Sequence, residues 1–369
     1  IGSGRDTGGP QQLCRSRAGC QELLGGANAR LVRTLLDDQL VLKRPAVDQF
    51  GVAREVAVLK DRLPDRRLVV HVHVVVDQGA VVDLTDGAVL EKNCVYVVPL
   101  MEGLSLPQGM TAAASAKSST GRLDLLTRII TDNGVEFDRV PEGYSGPLYV
   151  EICPRSFSVL VRPGLMLNQI IFRNGKTFID DAELKALHDK TPIVDGDAVI
   201  SDGLGFSVDL KPQNGDLVGY RAKPHTGVID LAQIGHYDPA EYWEEVRTKD
   251  GHIILDPGAF YILVSREAIA IPPDCAAEMA PYIAMVGEFR VHYAGFFDPG
   301  FGWDSAGGAG SRGVLEVRCH EAPFVLEHGQ IVGRLVYEHM SQTPAALYGQ
   351  DIKSNYQGQG LKLSKHFKG

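Results

Sequence analysis

The sequence predicts an all-β protein, mainly strands with short helices, built as two tandem sandwich- or barrel-like domains. Three observations predict it. Glycine (41) and proline (20) are frequent among the 369 residues, and they punctuate short runs rich in β-branched and aromatic residues. Helical periodicity is confined to two short pieces, 181–188 and 239–247. Finally, one pattern recurs at a single offset. Leu90, Tyr96, Glu102, Pro107, Glu151 and Gly164 return as Leu255, Tyr261, Glu267, Pro272, Glu316 and Gly329, each 165 residues later. One shared offset across scattered positions marks an internal duplication.

Taken in order, residues 1–82 do not fit this pattern. By the offset, the strand-like run Phe206-Ser207-Val208-Asp209-Leu210 maps to Val41-Leu42-Lys43-Arg44-Pro45, with no likeness. This segment holds ten arginines against two lysines, and 66–73 lacks ordinary patterning. It is a divergent N-terminal segment, either an extension or the product of a shifted reading frame; resequencing the coding region decides between them. The first repeat, 83–175, carries β-like runs at 95–98, 148–152 and 158–161. A polar connector, 176–199, leads to the second repeat, 200–340, with runs at 313–317 and 324–326. Both repeats close on one design: strand, a turn at Gly164 or Gly329, strand. Residues 341–369 form a C-terminal flap.

Bulk properties exclude several classes. A formal charge of −9 argues against a general nucleic-acid binder. No apolar run approaches the roughly 20 residues of a membrane helix; the longest, 68–82, is broken by His71, His73 and Asp77. No signal peptide is visible, and a cytoplasmic location is the expectation. The six cysteines, Cys14, Cys20, Cys94, Cys153, Cys275 and Cys319, show no CxxC spacing and are expected to be free, mostly buried thiols.

Three motifs carry chemistry. Lys117-Ser118-Ser119-Thr120-Gly121-Arg122 offers two cations, three hydroxyls and a glycine that admits close backbone approach, the mix that phosphate oxygens seek. Alone, such a stretch is most often a solvated turn. Asp298-Pro299-Gly300-Phe301-Gly302 is a turn signal. The strand after it alternates, with Val314 and Glu316 on one face and Leu315 and Val317 on the other. The tail sets Tyr348, Lys353, Tyr356 and Gln359 among glycines, as a flap closing on a ligand or as a frayed end. Zinc deamination needs H-x-E followed by P-C-x-x-C, and neither occurs. His71 and His73 are an incidental pair. No Walker loop or dinucleotide fingerprint is present; Gly307-Gly308-Ala309-Gly310 lacks the Lys-Ser/Thr ending.

In this order, the motifs resemble dCTP deaminase, a family of the dUTPase-like superfamily, in its long duplicated bacterial form. Lys117 to Arg122 resembles the family's R-S-S-x-[AG]-R phosphate motif, with Lys117 replacing the first arginine. Gly143-Tyr144-Ser145-Gly146 through Glu151 resembles the nucleoside hairpin and the glutamate strand, and Arg162-Pro163-Gly164 the turn after it. Asp298-Pro299-Gly300-Phe301 and Val314-Leu315-Glu316 resemble that hairpin and strand more closely. The hairpin aspartate is Pro141 in the first copy and Asp298 in the second. The phosphate motif has no equivalent at Tyr282 to Gly287.

The resemblance implies two dUTPase-like β-barrel domains of the β-clip type. It implies a division of labour: Lys117, Ser118, Ser119, Gly121 and Arg122 grip the triphosphate, while Asp298, Val314, Leu315 and Glu316 hold sugar and base. Tyr348, Lys353, Tyr356 and Gln359 close the site. Glu316 becomes the working glutamate, helped by Ser118 and Arg122, and Glu151 a relic or structural residue. The implied substrate is dCTP carrying Mg²⁺, without zinc, in a homo-oligomer. Two alternatives stay open: a dUTP pyrophosphatase, alone or combined with deamination, and a non-catalytic nucleotide-binding paralogue.

Overall fold

The computed structural model describes residues 73–76, 81–213, 215–281, 289–292, 295–303, 310–349 and 356–369. They belong to one compact unit, Val70–Gly369. Cys14, Cys20, His71, the 41–45 run, the 282–287 run, Gly307 to Ala309 and Lys353 lie outside the described residues. Strands dominate. The helices among the described residues are Ser118–Gly121, Asp181–Lys190 and Pro239–Tyr242.

The duplication survives as identical strand register. Tyr96–Ser105 pairs with Ser145–Pro154, setting Tyr96 opposite Ile152 and Val97 opposite Glu151. Phe260–Ile269 pairs with Ser311–Cys319, setting Tyr261 opposite Val317 and Ile262 opposite Glu316. The same 165-residue shift carries the pair Leu90 and Val159 onto Leu255 and Phe324. It also carries Met110 and Asn174 onto Cys275 and His339. A local tie is repeated too. The Tyr96 hydroxyl accepts the Glu91 N–H at 2.8 Å, and the Tyr261 hydroxyl accepts the Asp256 N–H at 3.0 Å. The closing turns use Gly164 at φ +86° and Gly329 at φ +79°, a region glycine enters without a Cβ penalty.

One helical piece is corrected, the helical spacing at 181–188 holds, and the N-terminal segment gains strands. Residues 239–247 are not one helix. Asp238 caps a single turn, Pro239–Tyr242, and Trp243–Arg247 is a strand on Leu217–Ala222. Trp243 packs edge-on against Phe157 and Phe367, with ring centroids 5.2 and 5.8 Å away, and this burial overrides local helical spacing. The connector is not merely polar: its helix, Asp181–Lys190, is capped by Asp180 and seats Leu184 in the second core. The segment before residue 83 contributes His73–Val76 and Val81–Asp83 to the sheet of Tyr96–Ser105.

Two cores result. The second gathers Phe206, Leu263, Leu315, Val317 and Tyr337. The first gathers Leu90, Leu125 and Val150, and also takes Trp243, Phe260, Val314 and Phe367 from later in the chain. Ser311–Cys319 is therefore a shared wall, Val314 facing one core and Leu315 the other. Arg318 on this wall donates to buried Asp124 and, at 3.2 Å, to Ser156. Cys94, Cys153 and Cys275 are free thiols, and the buried Cys319 thiol donates to Ala322 O. Among the described residues, no helix is long and apolar enough to cross a membrane.

Candidate active site

Strand Met110–Ala116 runs into Lys117 and then turns once through Ser118–Gly121. Lys117 N–H and Thr120 Oγ1 both donate to Leu167 O, at 2.9 and 2.8 Å. The turn is thus clamped to the chain leaving Gly164. Its far side is buried, and it presents Lys117, Ser118 and Arg122 to a cavity. The opposite wall comes from the second repeat, with Asp298, Val314 and Glu316, and the tail closes it with Tyr348, Tyr356 and Gln359.

Arg122 is held on several sides. Its Nη1 donates to Lys362 O at 3.0 Å and its Nη2 to Gln359 Oε1 at 2.9 Å. The guanidinium lies 4.0 Å over the Tyr356 ring, a cation–π geometry. Its Nε is buried without a hydrogen-bond partner, and Glu316 Oε1 stands 3.9 Å from it. That separation is too long for a direct hydrogen bond. It suits a ligand oxygen or a water between the two groups.

Glu316 is buried, and burial pushes its carboxyl up to about 8 against the opposing pull of Arg122. Desolvation disfavours the charged form, so the free site holds Glu316 protonated at neutral pH. Asp298 is also raised by burial, with the Lys117 cation opposing. It opens a turn in which Phe301 N–H donates to Asp298 O at 3.1 Å. Gly302 is required there: a Cβ would lie 2.1 Å from Ile269 O, at φ +66°.

The tail end is seated rather than frayed. Gln357 accepts from Gly302 N–H and donates to Gly300 O, both at 3.2 Å. Ser364 Oγ donates to Ser119 O at 2.7 Å. His366 is buried between Ser364 Oγ and Leu231 O, and burial pushes it down to about 4.

Lys117, Ser118, Arg122, Asp298, Val314, Glu316, Tyr348, Tyr356 and Gln359 therefore converge. Four candidates do not line the cavity. Ser119 and Gly121 are buried beneath the turn. Leu315 points into the second core, because strand residues alternate. Glu151 pairs with Arg128, whose Nε donates at 3.0 Å. Sheet register explains the fate of the hairpin aspartate. Ala112 faces Val140 and Ala277 faces Phe297, so Pro141 and Asp298 follow equivalent residues.

Sequence reading missed Gln169, Met279 and the aromatic wall of Phe296, Phe297 and Phe301. Phe301 sat inside a quoted motif; the others carry no local signal. It also missed Ser364 and His366 beneath the phosphate turn. No group of three or more His, Cys, Asp or Glu residues fit for a metal ion occurs among the described residues.

The fold is dUTPase-like, and this cleft is lined by both repeats. Residues 62–176 match the family model of the 2'-deoxycytidine 5'-triphosphate deaminase N-terminal domain. Residues 180–367 match that of the C-terminal domain. The chain belongs to the dCTP deaminase family. A crystal structure of 2'-deoxycytidine 5'-triphosphate deaminase from Agrobacterium tumefaciens is 56% identical, with TM-score 0.68, covering 71% of this chain and 79% of that one. A relative from Methanothermobacter thermautotrophicus, named "dCTP deaminase, dUMP-forming", is 32% identical over 160 residues, 42% of this chain and 74% of its own. One of the same name from Corynebacterium kroppenstedtii is 29% identical over 183 residues, 46% and 92% respectively.

Proposed function

We propose that this chain hydrolyses dCTP to dUTP and ammonia in the cleft between its repeats. The observation that carries the reading is one convergence. The phosphate turn of the first repeat meets the buried glutamate of the second, with Arg122 Nε 3.9 Å from Glu316 Oε1. Family membership supports deamination of dCTP, and the relatives' names, "dCTP deaminase, dUMP-forming", support that step while naming dUMP as the product.

The chemistry follows from these groups. Water adds to C4 of cytosine while the Glu316 carboxylate takes one of its protons and passes it to N3. The remaining hydroxyl proton moves to the amino group, which leaves as ammonia, and C4 becomes the uracil carbonyl. Arg122 and Ser118 hold the water and the α-phosphate; Lys117 meets the outer phosphates. Asp298 accepts from the deoxyribose hydroxyl, and the aromatic wall takes the sugar and base. Mg²⁺ arrives bound to the substrate's phosphate oxygens and waters. Positioning and charge stabilisation supply what proton transfer does not.

The test is a turnover assay with dCTP, reading ammonia and the uracil nucleotide together. Equal ammonia and dUTP are expected. Ammonia with dUMP and pyrophosphate would replace the product assignment, and nucleotide binding without ammonia would overturn the reaction. We further assign a cytoplasmic homo-oligomer, tested by native mass measurement and cell fractionation.

A further inference from the structure

The repeats share one framework, and one strand breaks the match. In the second repeat, Leu204–Ser207 pairs with Ile331–His339, Leu204 opposite Leu335 and Phe206 opposite Gly333. The counterparts in the first repeat are Ile170 and Asn168, on strand Asn168–Asn174. Among the described residues, that strand pairs only with Met110–Ala116.

Beside this edge lies a cavity of about 330 Å³, walled by Val98, Leu104, Leu148, Val150, Ile152 and Ile170 among others. Its walls match, position for position, the groups that hold residues 204–210. Val208 N–H donates to Gln330 O at 3.1 Å, Gly329 N–H to Val208 O at 2.9 Å, and Asp209 N–H to Val264 O at 2.9 Å. The counterparts of Gln330, Gly329 and Val264 are Leu165, Gly164 and Pro99, and all three line the cavity.

Several wall residues differ from their counterparts, and one of these changes sets the specificity. At Gly313 a Cβ would lie 2.3 Å from Phe206 Cζ; glycine makes room for that ring. The counterpart is Leu148, which is buried. A strand in the first repeat therefore needs a small residue where Phe206 sits. It needs aliphatic residues at the positions of Leu204, Val208 and Leu210.

We propose that this cavity and the 168–170 edge form an acceptor site for an extended strand donated by another polypeptide. Its pattern is aliphatic-x-small-x-aliphatic-x-aliphatic. Strand addition supplies main-chain hydrogen bonds for affinity and pockets for alternate side chains for specificity. Met101 and Met166, on the rim, are highly exposed and give adaptable apolar contact. The chain's own stretch at the repeat offset, 41–45, places Lys43 where Val208 sits and Pro45 where Leu210 sits, so it lacks the pattern. The acceptor also touches the catalytic cleft: Gln169 lines both cavities.

The test uses the full chain and two labelled peptides, Leu-Gly-Ala-Ser-Val-Asp-Leu and Leu-Gly-Phe-Ser-Val-Asp-Leu, read by fluorescence anisotropy. Saturable binding of the alanine peptide is expected, at least tenfold tighter than the phenylalanine peptide. Leu148→Gly should reverse that preference, and Leu148→Ala should narrow it if the glycine variant folds poorly. No saturable binding, or equal binding of both peptides to the unmodified chain, overturns the proposal. So does displacement of the peptide by concentration-dependent self-association, which would make a second copy the occupant.

Discussion

Glu316→Gln separates chemistry from stability, because the two should move in opposite directions. The folded carboxyl sits at about 8, against an ordinary value of 4.5. A carboxyl raised on folding is protonated in the folded state while the unfolded chain has already ionised. Its stability contribution is therefore fully present below pH 4.5 and is lost as pH rises to 8. The loss across that window is about 5 kcal/mol. Glutamine has nearly the same shape, cannot ionise, and removes this dependence. The variant should then melt higher than the parent at pH 8 and nearly equal to it at pH 4.5, by calorimetry. Turnover of dCTP should fall by roughly 10²–10⁴, the range of a lost general base. Glu151→Gln is the companion: it breaks a pair with partly exposed Arg128, at a cost of about 1 kcal/mol or less, with turnover kept. Glu316→Gln retaining most of its activity, or melting lower at pH 8, would refute the reasoning.

Further outcomes follow from the same groups. The kcat/KM for dCTP should climb with pH through about 8 and level off above it, because the free site must lose the Glu316 proton before it can accept one from water; a profile flat from pH 6 to 9 would contradict this. Arg122→Lys should lower kcat/KM by about tenfold or more and expose the tail to protease. Lysine cannot meet Gln359, Lys362 and the Tyr356 face together. His366, pushed down to about 4 from 6.5, contributes stability above pH 6.5 that is lost as pH falls toward 4; limited proteolysis of the tail should accelerate across that window, and His366→Gln should flatten it. Arg318→Met should cost roughly 3–5 kcal/mol in urea unfolding, by removing the cation that pairs with buried Asp124.

Much of the framework was legible because it obeys period and punctuation. Alternation at 313–317 placed Val314 and Glu316 on one face, and both line the cleft. The fixed offset reported the register of three strand pairings, since substitutions that keep a sheet leave pairing distances unchanged. Composition could not show which residues a distant segment buries. Trp243 reads as part of a helical piece until Phe157 and Phe367 are placed beside it. His366 and Ser364 look like an ordinary polar tail until the fold brings them beneath Ser119, 245 residues away for Ser364. Leu315 enters the candidate site through the resemblance of its motif alone; its side chain follows strand alternation into the other core.

Duplication usually yields two sites or one redundant copy, and this chain has done neither. The first repeat kept the phosphate turn, and the second kept the aspartate and the buried glutamate. The strand bearing Glu316 also seats Val314 in the first core and Leu315 in the second. Removing either repeat would expose one face of that strand along with half of the cleft. The tail adds a third dependence, since Arg122 of the first repeat is held by Gln359 and Lys362. The cleft and the fold thus share the same residues, and Glu316 stays buried, with Arg122 3.9 Å away, on a strand that both cores hold in place. Loss of one repeat should therefore abolish the site and the fold together, whereas a change confined to the Glu316 carboxyl should cut turnover and leave the fold intact.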